Sequence, residues 1–155
     1  MTKTKTSMVV LLLFGILGSV VACALFPTID VTGTWTGLLT WAEGDPLAGF
    51  TSPITLVLVQ EEKTITGELE LAAGGAAFFT LTITSGSAQG QSFTISASGQ
   101  YEGVSPPAAV TVSLQGTGDE EQLSGTGTQT IDGVPHSFTW QASVTEATAP
   151  VEGAS

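Results

Sequence analysis

Apolar and polar residues alternate along most of this chain, and after residue 30 the alternation stops and restarts repeatedly. A period of two puts successive side chains on opposite faces of an extended strand. In run 31–41, Val31, Gly33, Trp35, Gly37, Leu39 and Trp41 share one face and mainly threonine fills the other. Run 53–60 is mixed but rich in Ile, Leu and Val. Run 63–72 sets Ile65, Gly67, Leu69 and Leu71 against Thr64, Thr66, Glu68 and Glu70. Run 76–85 alternates Phe79, Leu81 and Ile83 with Thr80, Thr82 and Thr84. Run 91–101 carries Phe93, Ile95, Ala97, Gly99 and Tyr101 in register. Runs 108–116, 121–131 and 135–145 follow, with Val110, Val112 and Leu114, then Leu123, Gly125, Gly127 and Ile131, then Phe138, Trp140, Ala142 and Val144.

Between the runs stands turn chemistry: Gly44-Asp45-Pro46, Glu61-Glu62, Gly74-Gly75, Ser85-Gly86, Ser105-Pro106-Pro107, Gly118-Asp119 and Asp132-Gly133. Glycine, proline and short acidic residues at these points reverse the chain direction. The connections are short, so each strand is expected to pair with the next. No segment has a helical period. The pattern predicts an all-β domain over 31–145, an eight-stranded antiparallel up-and-down meander barrel, with a β-sandwich as the alternative. Glycines at 33, 67, 99, 125 and 127 lie on the apolar face and favour the tight curvature of a closed sheet. The polar face is Thr- and Ser-rich, which suits water and not the outside of a membrane-spanning barrel.

Composition sharpens this picture. Charged residues are only 11% of the 155, and the hydrophobic fraction of 42% is enough for a core. Arginine is absent, and the basic residues are Lys3, Lys5 and Lys63. From Cys23 onward one lysine stands against fourteen acids, a formal charge of −13. Nucleic acid binding needs a basic footprint, which this chain lacks, so no nucleic-acid partner is expected. An anionic lipid surface would also repel the domain, so membrane association has to come from a tether.

The first residues supply one. Lys3 and Lys5 precede an apolar stretch from Met8 to Val21, broken only by Gly15, Gly18 and Ser19. That length fits the hydrophobic region of an export signal better than a membrane span. It ends in Val20-Val21-Ala22-Cys23, and Cys23 is the only cysteine. This segment resembles the signal of bacterial lipoproteins, whose lipobox ends in a small residue and a cysteine. The resemblance implies cleavage between Ala22 and Cys23, a diacylglycerol on the Cys23 thiol and an acyl chain such as palmitate on the new amino group. Two or three acyl chains anchor durably, whereas one does so only marginally. The expected layout is a signal peptide at 1–22, a lipidated cysteine and linker at 23–30, the barrel at 31–145 and a disordered tail at 146–155. The expected location is the cell envelope, lipid-anchored. With Ala24 after the cysteine, the resemblance implies the outer membrane if the source has one.

Gly33-Thr34-Trp35 at the start of the first strand is similar to the Gly-x-Trp entry of lipocalins and the Gly-Thr-Trp entry of avidins. In those barrels the tryptophan plugs the closed end, and the resemblance implies the same for Trp35. Lipocalins usually lay an arginine over that tryptophan, and this chain has none, so the resemblance speaks for the fold and not for a ligand.

Candidate chemistry is sparse. His136 is the only imidazole, and the acids of Glu61-Glu62 and Asp119-Glu120-Glu121 fall in hairpin turns. Neither a nucleophile–base pair nor a zinc set is legible, and no enzyme activity, metal or cofactor is expected. The expected function is a structural or interaction role in the envelope, through a partner protein. The alternative is a barrel that holds a small apolar or amphipathic ligand. Its candidate lining, which ordinary core would equally explain, is Trp35, Phe79, Phe93, Tyr101, Phe138 and Trp140.

Overall fold

The structure is a computed structural model and describes residues 28–73, 77–102 and 105–145, without the side chains of 72, 73 and 77–79. Eight strands follow one another: β1 (Gly33–Trp41), β2 (Thr51–Glu61), β3 (Thr64–Ala73), β4 (Ala77–Gln89), β5 (Ser92–Tyr101), β6 (Ala108–Gly118), β7 (Gln122–Ile131) and β8 (Val134–Val144). Each pairs antiparallel with its successor, and β1 pairs with β8, so the sheet is a closed barrel. The up-and-down meander barrel expected from the alternation is the fold, and the sandwich is set aside. Closure leaves no edge strand to recruit a second chain.

Alternation decides which side chains fill the barrel. Trp35, Leu39, Leu56, Leu69, Leu81, Ile95, Val110, Leu114 and Phe138 point inward and are buried. The outward rows are mainly threonine, serine and glutamine, with Glu68 and Glu70 on β3 and Glu61 at the end of β2. On β2 the inward set is Ser52, Ile54, Leu56 and Leu58, while Val57 and Val59 face solvent.

One expected turn is not a turn. Ser85-Gly86 lies within β4, which runs on to Gln89. The β4–β5 register shifts between Ile83 and Ser85, the mark of a β-bulge. Inward residues then change from Leu81 and Ile83 to Gly86 and Ala88. A Cβ at Gly86 would lie 2.7 Å from the Ile65 carbonyl oxygen, so only glycine lets β4 pass this close to β3. The chain reverses instead at Gly90-Gln91, where Gly90 has φ +60°.

The meander sorts the connections into two ends. At one end lie residues 28–32, the β2–β3, β4–β5 and β6–β7 turns, and Thr145. This is called the proximal end. The 42–50 loop, the end of β3 and start of β4, the end of β5 and start of β6, and the Asp132-Gly133 turn lie at the opposite, distal end. Both Asp132 (φ 48°) and Gly133 (φ 81°) are left-handed, as a two-residue hairpin that follows the sheet's twist requires.

Candidate functional site

The proximal end is plugged from within. Trp35 is buried, and its Nε1–H donates to the Val31 carbonyl at 2.8 Å. Ile29 and Val31 are buried beside it. Gln60 holds this entry segment down: its amide NH2 donates to the carbonyls of Ile29 and Glu62, each at 2.9 Å. Its Oε1 accepts from the Val31 N–H at 3.1 Å. The Ile29 N–H donates to the Gly90 carbonyl, tying the plug to the β4–β5 turn. The end of the barrel entered by Gly33-Thr34-Trp35 is therefore closed.

The interior above it is tightly packed around Phe93, Leu114, Phe138 and Trp140. Phe93 and Trp140 meet edge to face with centroids 5.9 Å apart. The Trp140 Nε1–H reaches the Thr126 carbonyl at 3.2 Å. Inward glycines face these side chains at close range. A Cβ on Gly116 would sit 2.6 Å from Phe93 Cζ and 2.9 Å from Trp140 Cζ2. One on Gly127 would sit 2.5 Å from Phe138 Cζ and 2.7 Å from Leu114 Cδ2. At these points the packing leaves no room for a methyl group. Two grooves lie on the surface of the described residues. One of about 480 Å³ runs over the outer wall between Leu38, Thr40, Ser124, Thr126, Thr139 and Gln141. Another of about 520 Å³ lies at the proximal rim beside Asp30, Asp119, Glu120 and Glu121.

Trp35, Phe93, Phe138 and Trp140 from the expected ligand lining are thus buried core residues. Tyr101 is half-buried against that core. The Phe79 side chain lies outside the described residues, although its backbone pairs with Leu71 in the wall. Ala22, Cys23 and the 146–155 tail also lie outside them.

The distal end is chemically richer. Trp41 packs edge-on to Phe138, with centroids 5.4 Å apart, and edge-on to His136 at 6.1 Å. Two polar side chains, Ser52 and Gln129, are buried and point inward, and Gln129 pairs across the ladder with His136. Loop 42–50 reaches back to this cluster. The His136 Nδ1–H donates to Asp45 Oδ2 at 2.8 Å, and Asp45 Oδ1 accepts the Leu47 N–H at 2.9 Å. These two bonds and the attraction of His136 hold the Asp45 carboxyl below the usual aspartate value, with the Leu47 N–H the largest cause. Leu47 is half-buried against the core.

Neither Asp45 nor Trp41 stands out in the sequence as a site residue. Asp45 and His136 are 91 positions apart, and only the meander brings the first and last hairpins to one end. The turn acids are used locally. Asp119 Oδ1 accepts from the Glu121 and Gln122 N–H groups at 2.9 Å each, closing the β6–β7 turn and lowering the Asp119 pKa. Among the described residues no group of three or more His, Cys, Asp or Glu side chains is placed to hold a metal ion. No helix among them is long and apolar enough to cross a membrane. No protein-family model, curated protein or solved structure matches the chain.

Proposed function

We propose that this chain is a bacterial envelope lipoprotein whose soluble barrel serves as a structural or interaction module at the end of a short lipid tether. The observation that carries the module reading is the packed interior, where Gly116 and Gly127 already meet rings and a leucine at contact distance. A carrier of small apolar molecules needs an open apolar chamber of roughly 300 Å³ or more. The tether reading rests on Val20-Val21-Ala22-Cys23 behind a basic and then an apolar segment.

The layout fits such an anchor. Four residues separate Cys23 from Thr28, so the five steps between them reach at most about 18 Å when fully extended. The anchored end would then be the proximal one. Its rim carries Asp30, Glu61, Glu62, Asp119, Glu120 and Glu121 against the single Lys63. Anionic headgroups repel such a rim, which keeps the barrel off the bilayer and turns the distal end toward partners.

Cells expressing the full chain and fed radiolabelled palmitate should label it, and Cys23→Ser should lose the label and leave the membrane fraction. An unlabelled protein, or a Cys23→Ser form that stays membrane-bound, would sink the tether. Native mass spectrometry tests the module separately. The purified barrel should fly at its bare mass, whereas a retained small molecule would favour the carrier alternative.

A further inference from the structure

Loop 42–50 differs from the other described connections, several of which are turns of two or three residues. It is long and folded in itself, and its first residue is bonded to β8, with the Ala42 N–H donating to the Ser137 carbonyl at 2.9 Å. The Asp45 N–H donates to the Ala42 carbonyl, the Ala48 N–H to the Asp45 carbonyl at 2.9 Å, and the Phe50 N–H to the Leu47 carbonyl at 3.0 Å. With the Asp45 side chain closing on the Leu47 N–H, residues 45–48 form a compact tip. Gly44 (φ +88°) and Gly49 (φ +82°) flank that tip, and a Cβ at either would have no atom within 4 Å. Both glycines therefore adopt a backbone disfavoured for other residues in open space, where nothing blocks rotation. Among the described residues, two attachments bind the tip to the barrel: Leu47 packed on the core and the bond from Asp45 to His136. Trp41 N–H to Phe50 carbonyl, at 3.3 Å, closes the base of the loop outside the two glycines.

We propose that residues 45–48 are a latched lid, hinged at Gly44 and Gly49, with Leu47 as its plug and the Asp45–His136 bond as its catch. When the catch opens, the tip swings out and its internal turn, no longer backed by the barrel, loosens, uncovering the distal end of the core around Trp41 and Phe138. The lid stands whether or not the chain carries lipid, since it rests on residues of the barrel alone.

The charged and titratable groups at this end are few. Glu43 and Asp45 lie on the loop, Glu102 follows β5, Asp132 sits in the β7–β8 turn, and Tyr101 ends β5. Among the described residues no lysine or arginine lies at this end. When His136 is protonated both ring nitrogens carry hydrogen, and the catch is an ion pair. When it is neutral, the bond needs the tautomer with hydrogen on Nδ1. When Asp45 is protonated in acid, the ionic attraction is gone.

The test is hydrogen exchange by mass spectrometry on the full chain, comparing wild type with His136→Phe. Phenylalanine keeps a ring edge toward Trp41 and removes the Nδ1 donor. The bonded amides of Leu47, Ala48 and Phe50 should exchange about tenfold faster or more, while peptides from β5 and β6 keep wild-type protection. Asp45→Ala, which spares the ring and leaves it no partner on the tip, should give the same pattern, and acrylamide should quench tryptophan fluorescence more strongly in both. Lid amides that exchange in wild type as fast as an unstructured peptide would overturn the proposal. So would variants in which lid and barrel amides accelerate by the same factor.

Discussion

Replacing Gly116 by alanine puts a methyl group where two aromatic rings already stand. Its Cβ would lie 2.6 and 2.9 Å from Phe93 Cζ and Cε1, and 2.9 Å from Trp140 Cζ2. Carbon atoms in good contact sit about 3.5–4.0 Å apart, so the Phe93 ring has to retreat by about 1 Å. Trp140 blocks that retreat, since the two rings are in edge contact and the indole is fixed by its bond to the Thr126 carbonyl. Overpacking of this kind costs about 1–3 kcal/mol. Alanine returns about 0.4–1 kcal/mol by restricting the unfolded chain. The expected net loss is about 1–2 kcal/mol, or about 4–8 °C in Tm for a domain of this size. Urea unfolding followed by tryptophan fluorescence would measure it, with the slope unchanged if the native and unfolded states keep their compactness. The double variant Gly116→Ala with Phe93→Leu separates steric strain from anything else. The smaller side chain should absorb the methyl, so the two substitutions should couple favourably by about 1 kcal/mol. A Gly116→Ala protein as stable as wild type would mean that the rings have free space to move into. The barrel would then be hollow, and the module reading would fall with the packing argument.

Two further outcomes follow from the proximal end. Gln60→Ala removes three hydrogen bonds that fasten residues 29–31 and the Glu62 carbonyl, and should cost about 1–3 kcal/mol. Exchange should rise first at Ile29 and Val31, and unaltered protection there would show that burial alone holds the segment. Asp119 has its pKa lowered by two backbone N–H groups, so its contribution is complete above the unfolded value of 3.8 and is lost as pH falls through the lower folded value. Wild type should therefore exceed Asp119→Ala in urea midpoint at pH 6, and the gap should close below about pH 4. A gap that stays constant with pH would show that the carboxylate charge is not what closes the turn.

Strand number, order and faces were legible in the sequence because a half-buried strand writes its two faces directly into the alternation. The run 63–72 shows this well, since Ile65, Leu69 and Leu71 are buried and Glu68 and Glu70 exposed as their positions require. Ser85-Gly86 misled because the same pair that signals a turn also serves a bulge. Only the neighbouring Ile65 backbone distinguishes them, and it lies twenty residues away. On β2 the alternation was blurred because Val57 and Val59 face water, where burial does not select against them. The Asp45–His136 bond was illegible for a different reason. Its partners meet only through the closure of the sheet, and each looks ordinary in its own hairpin. The Gln60 clamp is equally a product of assembly, since its three partners come from the entry segment and the next turn.

Closure between first and last strands has a mechanical meaning. β1 is bonded along one side to β2 and along the other to β8. A pull on the chain just before Gly33, directed along the barrel axis, therefore slides β1 against two ladders at once. All the bonds of both ladders bear the load together, whereas a strand peeled from a free border would release them singly. A partner that grips the far mouth would thus be hauling against the stiffest direction this small sheet possesses.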